Sequence, residues 1–509
     1  MSMKKIVVVG GGTAGWLAAN HLGKKFKDNA EITVTLIESP DIAPIGVGEG
    51  TVPKIRQTLS SFGISETQFI RECDVTFKQS IKFVNWMDKQ KHGSDNFFHH
   101  LFDAPDKFAE DLTPYWLKHG QGNRYADTLS PQHSACESNK APKSITTPEY
   151  EGTLGYAYHL NAAKFANLLC KNAVDKFAVE HLKAHIVDVE LNNDGAIAAL
   201  VTKEIGKLEY DFYLDCTGFE SLLLGKALNV PFIEKSKELL VNSALVVQVP
   251  TQEEDEIPPY TIATAHQAGW IWDIALTNRR GVGFVYSNNH MSDDEAKTKL
   301  DHYLKGNPSG LTYRKLPMKV GHREKFWHKN CVSLGLAQGF LEPLEATSIL
   351  LTDFAASFLA DRFPESEEQM HLLEQRFNHV MGYAWDRVVD FIKLHYCISD
   401  RTDSTFWLDN KKEETIPVML RKRLQLWQQF TPQKEDFFSK FEIFDYDNYL
   451  YLLYGMVYQT KLAPLSSNDH DKAKAKAEGI QAIAAQLNLR LPNHRELINK
   501  IKQYGLQNI

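Results

Sequence analysis

A glycine-rich loop near the amino terminus has the residue types and spacing of a phosphate-binding turn. Gly10, Gly12 and Gly15 stand in the sequence GGGTAG, with Thr13 and Ala14 between the last two. In GxGxxG loops the first glycine makes the turn, and the second lets the backbone approach a pyrophosphate. The third lets a helix pack on the strand, and the N–H groups of that helix point at the phosphate. The loop predicts a dinucleotide site.

The segments around the loop are those that such a site needs. Residues 6–9 (IVVV) are typical of a strand buried on both faces of a parallel sheet. Residues 16–22 have helical spacing of apolar side chains, and a second strand is predicted over residues 32–37. That strand ends at Glu38, whose carboxylate can accept hydrogen bonds from ribose hydroxyls. Together they predict a β-α-β unit.

Interruptions of this fold favour FAD over NAD. A glycine-rich stretch, residues 46–51 (GVGEGT), follows the second strand, and further strands are predicted over 183–201 and 208–214. They lead into the tight turn of residues 215–218 (DCTG). We therefore expect one insertion between residues 51 and about 156 and another after residue 218, whereas a nicotinamide domain is normally continuous.

Composition excludes several classes of protein. The chain has 509 residues, 43% hydrophobic and 24% charged, which is ordinary for a globular protein. A net charge of -7 without a long basic block gives no reason to expect nucleic-acid binding. Six dispersed cysteines with no CxxC pair indicate reduced thiols, and no metal site is predicted. With no signal-like or membrane-spanning run, the prediction is a cytoplasmic protein without a membrane partner.

Two tryptophans stand one residue apart in the stretch GWIWDI. Trp270 and Trp272 are expected on the same face of a strand, because side chains alternate along it. Taken alone, the pair would be interpreted as two core residues.

Four blocks, in this order, resemble the flavin-dependent tryptophan halogenases. They are residues 10–16 (GGGTAGW), 46–51 (GVGEGT), 269–274 (GWIWDI) and 339–349 (GFLEPLEATSI). The match runs to about residue 353 and is weaker beyond. It implies that Trp270 and Trp272 line a wall that keeps the organic substrate from the flavin. Ala275 departs from the family, which usually has proline there.

The fold class implied is α/β, a split Rossmann-like FAD-binding domain of the flavin monooxygenase type with a mainly helical C-terminal region. Residues 1–352 would form the FAD-binding core, with insertions that carry substrate and catalytic residues. Residues 353–509 would form the helical region and complete the substrate pocket. Helices are predicted over 354–363, 365–398 and 411–430, and again over 472–487.

The resemblance implies two catalytic residues, Lys78 and Glu345. An ammonium at Lys78 can hydrogen-bond the oxygen of hypohalous acid; alternatively, the amine can form a haloamine, which burial would favour. Glu345 can stabilise a cationic ring intermediate and take its proton. Glu342 competes for that role, and either glutamate could instead cap the helix predicted near Thr347.

The same resemblance assigns halide binding to Thr347 and Ser348, partly through backbone N–H groups. The family commonly has Ser-Thr-Gly where this chain has Ala-Thr-Ser, which puts the shape of the halide pocket in question. His100 and Phe102 take the positions of substrate-contacting residues, although His100 could equally be a satisfied packing residue. Further cofactor contacts are expected at Gly50, Val187, Leu336 and Ile349.

The function expected is that of an FADH2-dependent halogenase, which oxidises chloride or bromide with O2 and halogenates an electron-rich aromatic, an indole or tryptophan. A separate flavin reductase would supply FADH2, and a homodimer is allowed. The alternatives are a flavin-dependent aromatic hydroxylase, which has no use for Lys78, and a non-catalytic flavoprotein.

Overall fold

The structure is a computed structural model that describes residues 4–41, 48–120, 122–305, 310–461 and 467–507. Its strands are β1 Lys5–Val9, β2 Thr33–Glu38, β3 Gly48–Gly50, β4 Thr76–Lys78, β5 Ser80–Val84, β6 Phe97–Leu101, β7 Ala157–Asn161, β8 Glu180–Lys183, β9 Ile186–Leu191, β10 Ile197–Thr202, β11 Gly206–Leu208, β12 Phe212–Asp215, β13 Phe232–Glu234, β14 Ser243–Pro250, β15 Tyr260–His266, β16 Gly269–Ala275, β17 Arg279–Tyr286, β18 Arg314–Pro317, β19 Gly321–Arg323, β20 Trp327–His328, β21 Cys331–Ser333 and β22 Gly339–Phe340. Its α-helices are α1 Thr13–Phe26, α2 Lys54–Ser61, α3 Glu66–Glu72, α4 Lys89–His92, α5 Thr113–Tyr115, α6 Tyr125–Leu129, α7 Pro131–Glu137, α8 Ala162–Phe177, α9 Asp293–Tyr303, α10 Thr347–Asp361, α11 Glu367–Cys397, α12 Thr405–Asp409, α13 Val418–Trp427, α14 Tyr446–Gly455, α15 Ser467–Arg490 and α16 His494–Tyr504.

The predicted nucleotide-binding sheet is present and split along the sequence. Its strand order is β20-β21-β12-β1-β2-β8, with parallel pairing from β21 through β8. Ile6 to Val9 of β1 are almost fully buried, as a strand covered on both faces must be. The chain enters the sheet four times, at β1–β2, at β8, at β12 and at β20–β21, so the prediction of a fold interrupted by insertions is confirmed.

The two insertions build a second, mostly antiparallel sheet. Its order is β18-β14-β17-β16-β15-β5-β6, in which β5 and β6 come from the first insertion and the other strands from the second. Strand β5 runs parallel to β15 and joins the two parts. The tryptophan pair lies on β16, inside this sheet.

A small sheet connects the cofactor loop to the first insertion. Strands β3 and β4 both pair with β7, so that Gly50 lies opposite His159 and Lys78 lies opposite Ala157. This pairing places Lys78 next to Gly50, which belongs to the glycine-rich stretch of residues 46–51, here called the strap. Gly46 and Val47 of that strap lie outside the described residues.

The region after residue 346 is mainly helical, as predicted. Several boundaries differ from the prediction, and two of them have a clear form. The helix expected over residues 411–430 begins at Val418, because Pro417 holds the preceding residue in an extended conformation. The strand expected over residues 208–214 is divided between β11 and β12. Within the described residues, no helix combines the length and the apolar character needed to cross a membrane.

Candidate active site

The glycine loop divides into glycines required by packing and one that faces open space. A Cβ at Gly10 would lie 2.2 Å from the carbonyl oxygen of Cys216, and Gly10 has a φ of +117°. A Cβ at Gly15 would lie 1.9 Å from the Gly10 carbonyl oxygen. At Gly12, by contrast, no atom of the described residues lies within 4 Å of the Cβ position. That open side fits a pyrophosphate held against the backbone.

Most of the other expected cofactor residues lie close to this loop. Thr13 and Ala14 begin α1, and a Cβ added at Gly335, the residue before Leu336, would lie 2.5 Å from the Cβ of Ala14. Glu38 ends β2 and has its Oε1 2.8 Å from the Nε2 of His181.

Val187 lies outside the nucleotide-binding sheet. It lies on β9, in the sheet formed with β10 and β11, and its side chain is 62% exposed. The backbone N–H of Ala184, three residues earlier, donates to the carbonyl oxygen of Glu38 at 3.0 Å, and a cofactor contact at Val187 stays a prediction. The nearest strand of the nucleotide sheet along the chain is β8, which pairs with β2.

Lys78 is fully buried at the end of β4. Its ammonium donates to the backbone carbonyl of Thr51 at 3.2 Å and lies 5.1 Å from the centre of the Phe102 ring. Burial lowers the pKa of Lys78 to about 8, although the nearby Glu345 opposes that change. A Cβ at Gly50 would stand 3.4 Å from the Lys78 nitrogen and 3.7 Å from the Cβ of Ala346. Strand β3, Lys78 and the turn that precedes α10 therefore meet here.

Glu345 ends a 3-10 turn, Pro343–Glu345, and is held between two histidines. The Nδ1 of His100 lies 3.0 Å from both carboxylate oxygens, and the Nε2 of His395 lies 2.8 Å from Oε1. Burial alone would raise the pKa of this carboxyl, but His100 and His395 outweigh burial and lower it to about 2. At neutral pH Glu345 is a buried carboxylate.

Glu342, three residues earlier, has different partners. Its Oε2 accepts hydrogen bonds of 2.6 Å from the indole N–H of Trp270 and from the hydroxyl of Tyr396. Its Oε1 has no hydrogen-bond partner among the described residues. Burial raises the pKa of Glu342 to about 7, although both hydrogen bonds oppose this. Glu342 therefore fastens the tryptophan wall to α11, and it does not reach the histidines that hold Glu345.

The two tryptophans form a continuous buried surface. Their ring centroids are 6.2 Å apart, as expected for side chains on one strand face. Small residues on the neighbouring strands make room for them, since Trp272 lies opposite Ala263 and Gly283. A Cβ at Gly283 would stand 2.1 Å from the Trp272 ring, so glycine is required there.

The expected halide residues begin α10. Ala346 precedes the helix with a φ of +55° and provides no side-chain cap. Thr347 is buried, Ser348 is exposed, and both line a small recess together with Gly335 and Phe340. Ile349 follows in the same turn and is buried. Uncapped N–H groups at the start of a 15-residue helix are suited to binding an anion.

His100 proves to be fully hydrogen-bonded rather than free. Its Nε2 lies 3.0 Å from Oδ1 of Asn448, and its Nδ1 faces Glu345. His395 and Asn448 were missed by sequence reasoning. A signal for the first existed, because residues 388–397 (VVDFIKLHYC) place charged and polar side chains inside a buried helical stretch. The sequence around Asn448 carries no such signal.

The class of protein follows from these features together. A split dinucleotide-binding fold, a wall of two tryptophans and a buried lysine beside a buried carboxylate define a flavin-dependent halogenase. The tryptophan halogenase family model matches residues 5–469, and the chain belongs to this family.

Individual relatives agree with that assignment. The chain is 33% identical over 476 residues to tryptophan 6-halogenase SttH of Streptomyces toxytricini, covering 89% of each chain. The crystal structure of a tryptophan halogenase from Shewanella frigidimarina has a TM-score of 0.95 and 38% identity, covering 100% of this chain and 99% of that one. A flavin-dependent halogenase from Xanthomonas campestris has a TM-score of 0.88 and 31% identity, with 100% of both chains covered.

Proposed function

We propose that this chain is an FADH2-dependent halogenase that uses O2 and chloride or bromide to halogenate an electron-rich indole. The observation that carries the proposal is the buried Lys78, whose ammonium donates to the Thr51 carbonyl and is favoured over the neutral amine by the charge of the buried Glu345. A direct hydroxylase has no use for such a lysine, and a non-catalytic flavoprotein needs neither residue. A separate flavin reductase would supply FADH2.

Each part of the chain has one task in this scheme. When bound, reduced flavin with O2 supplies the oxidation of halide to hypohalous acid. The Gly12 backbone would hold the pyrophosphate, and N–H groups near Thr347 and Ser348 would hold the halide. Trp270 and Trp272 would exclude the organic substrate from that compartment. The helical region after residue 353 would complete the substrate chamber, a proposal supported by its His395 and Asn448.

Lys78 would receive the oxidant. Its ammonium can donate to the oxygen of hypohalous acid, which makes the halogen more electrophilic. A pKa of about 8 also leaves an appreciable fraction of neutral amine near that pH, so that haloamine formation stays open as the alternative. Glu345 would stabilise the cationic ring and accept the proton that the substituted carbon loses.

The substrate we propose is indole or a simple indole, although the relatives are named tryptophan halogenases. A groove of about 250 Å³ opens beside α14, the helix that carries Asn448, and its lining includes Asp106, Asp111 and Glu435 with Lys434. These carboxylates would repel the carboxylate of free tryptophan. Phe102 offers an apolar ring face to a flat neutral substrate.

The experiment that tests this function is a reaction of the chain with FAD, a flavin reductase, NADH and bromide, in which indole and L-tryptophan are compared. We expect brominated indole, identified by the isotope pattern of bromine, to form faster than brominated tryptophan. NMR should locate bromine at the most nucleophilic carbon of indole, because indole has no charged group by which the site could fix the ring. A hydroxylated product, or clean benzo-ring bromination of tryptophan with indole poorly used, would contradict the proposal.

The cofactor has its own test. Gly12→Val should abolish FAD binding without loss of thermal stability, because its side chain enters open space where the pyrophosphate is proposed. Gly10→Val is the contrasting variant, since its Cβ meets the Cys216 carbonyl and should destabilise the fold itself. FAD affinity is measured by titration of flavin fluorescence. Unchanged affinity in Gly12→Val would contradict the placement of FAD.

A further inference from the structure

The outer ring nitrogens of both histidines beside Glu345 face hydrogen-bond acceptors. The Nδ1 of His395 lies 2.9 Å from the backbone carbonyl oxygen of Phe391, which can only accept. The Nε2 of His100 faces Oδ1 of Asn448, and the Nδ2 of that amide donates to Asp445 at 2.7 Å. Because the Asp445 carboxylate can only accept, the amide orientation is fixed and its oxygen must face His100. Each outer nitrogen therefore carries a hydrogen.

The hydrogens on the outer nitrogens determine the state of the inner nitrogens, which are the ring nitrogens that face Glu345. A neutral imidazole has one N–H, and here that N–H is used on the outer side. The inner nitrogens, Nδ1 of His100 and Nε2 of His395, would then present lone pairs to the Glu345 carboxylate. Such contacts are unfavourable in a buried site unless a proton lies between the two atoms. Satisfying both contacts takes two added protons, shared among Glu345, His100 and His395.

We propose that Asn448 and the Phe391 carbonyl are positioning groups that fix the tautomers of His100 and His395 and thereby make Glu345 the centre of a proton-sharing His–Glu–His chain. The inference rests on the proposed function for its role in catalysis. In the reactive form, Glu345, His100 and His395 together hold one of the two added protons. The ring C–H bond breaks, its electron pair returns to the ring, and the proton goes to Glu345, which shares it with the inner nitrogen that lacked one.

The surroundings agree with this assignment. Glu345 is faced by Lys78 from β4, by His100 from β6 and by His395 from α11, and these three side chains are all buried. His100 is also flanked by the rings of Phe391 and Tyr451. Asp445 stands behind Asn448 and is exposed to solvent. The series of hydrogen bonds from His395 through Glu345 and His100 thus ends at the amide of Asn448. This amide orients His100 but is not itself protonated.

Substitutions of Asn448 test whether this residue fixes the tautomer of His100 or only packs against its ring. Asn448→Leu keeps similar volume but removes the acceptor, which frees neutral His100 to move its hydrogen to Nδ1 and donate it to Glu345. That change lowers the need for an added proton, so the acid limb of the pH–rate profile should move to lower pH by about one unit. Asn448→Asp keeps an oxygen facing His100 and should leave the limb at or above its wild-type position.

The direct test is long-range proton–nitrogen NMR of the full chain labelled with 15N-histidine. His100 and His395 are assigned with His100→Gln and His395→Gln. We expect both outer nitrogens to be protonated from pH 6 to 9, and the hydrogen of His100 to move to Nδ1 in Asn448→Leu. An outer nitrogen without hydrogen in the wild type, or identical spectra and pH–rate profiles for wild type and Asn448→Leu, would overturn the inference. The spectra need no halogenated product, so failure of the proposed function is distinguishable from failure of this inference.

Discussion

Glu342 and Glu345 lie three residues apart in one turn, are both fully buried, and have opposite electrostatic settings. The pKa of Glu342 is raised to about 7, and that of Glu345 is lowered to about 2. Burial acts on both carboxyls in the same direction, so the partners make the difference. Glu342 meets an indole and a phenol, which stay neutral, whereas Glu345 meets two imidazoles, which can carry charge.

Two consecutive residues of helix α11 each provide a hydrogen-bond partner to one of the two glutamates. His395 contacts Glu345 and Tyr396 contacts Glu342. The type of residue in this turn therefore does not decide the protonation of its carboxyl, whereas the chemistry of the hydrogen-bond partners does. Glu342 links the tryptophan wall to α11, and Glu345 is the group that takes up the proton in the function we propose.

The largest expected difference between the two glutamates is in catalysis. Glu345→Gln keeps the shape but removes the base, and should lower kcat for bromination by about 10²–10⁴-fold with little change in KM. Glu342→Gln keeps an oxygen for Trp270 and Tyr396 and should cost less than about tenfold, because Glu342 is assigned no proton transfer. Initial rates of product formation measure both. Equal losses in the two variants would remove the distinction.

Stability should respond to pH through Glu342. Its pKa in the folded chain is above the ordinary value of 4.5, so its contribution to stability is present below pH 4.5 and is lost as pH rises through about 7. Between pH 5 and 8 the free energy of unfolding should fall in wild type relative to Glu342→Gln, on the order of 3 kcal/mol. Urea unfolding at the two pH values provides the measurement. A difference that does not change with pH would show that Glu342 is not held protonated.

The contribution of Glu345 to stability changes with pH in the opposite direction. Its folded pKa of about 2 lies below the ordinary value, so its contribution is present above pH 4.5 and is lost as pH falls toward 2.

The smallest of these effects concerns the wall. Trp270→Phe removes the N–H that Glu342 accepts and leaves that buried carboxyl with less compensation, which should cost about 1–3 kcal/mol of unfolding free energy. Trp272→Phe is the matched control, because within the described residues its indole N–H makes no such bond to a carboxylate. Urea unfolding of both variants at pH 7 separates the cases. An equal or larger loss in Trp272→Phe would show that ring packing alone holds the wall.

Local patterns predicted the fold where a single period dominates. The buried β1 strand, the glycine loop and helices α10 and α11 lie where apolar spacing and loop chemistry indicated. The hydrogen-bonded group around Glu345, in which His395 contacts Glu345 and Asn448 contacts His100, was not predictable in this way. His395 and Asn448 lie 50 and 103 residues from Glu345 along the chain, and only tertiary packing brings them together. His100 shows the same limit, because its two partners come from different elements and no sequence spacing records them.

The central claim is that oxidant made at the flavin is used at Lys78. Lys78→Met, which keeps most of the buried volume, is therefore the decisive variant. Supplied with FADH2, O2, bromide and indole, it should still reoxidise the flavin at a rate near that of wild type, followed by absorbance, while mass spectrometry finds no brominated indole. Brominated indole formed by Lys78→Met at a rate near that of wild type would contradict the account.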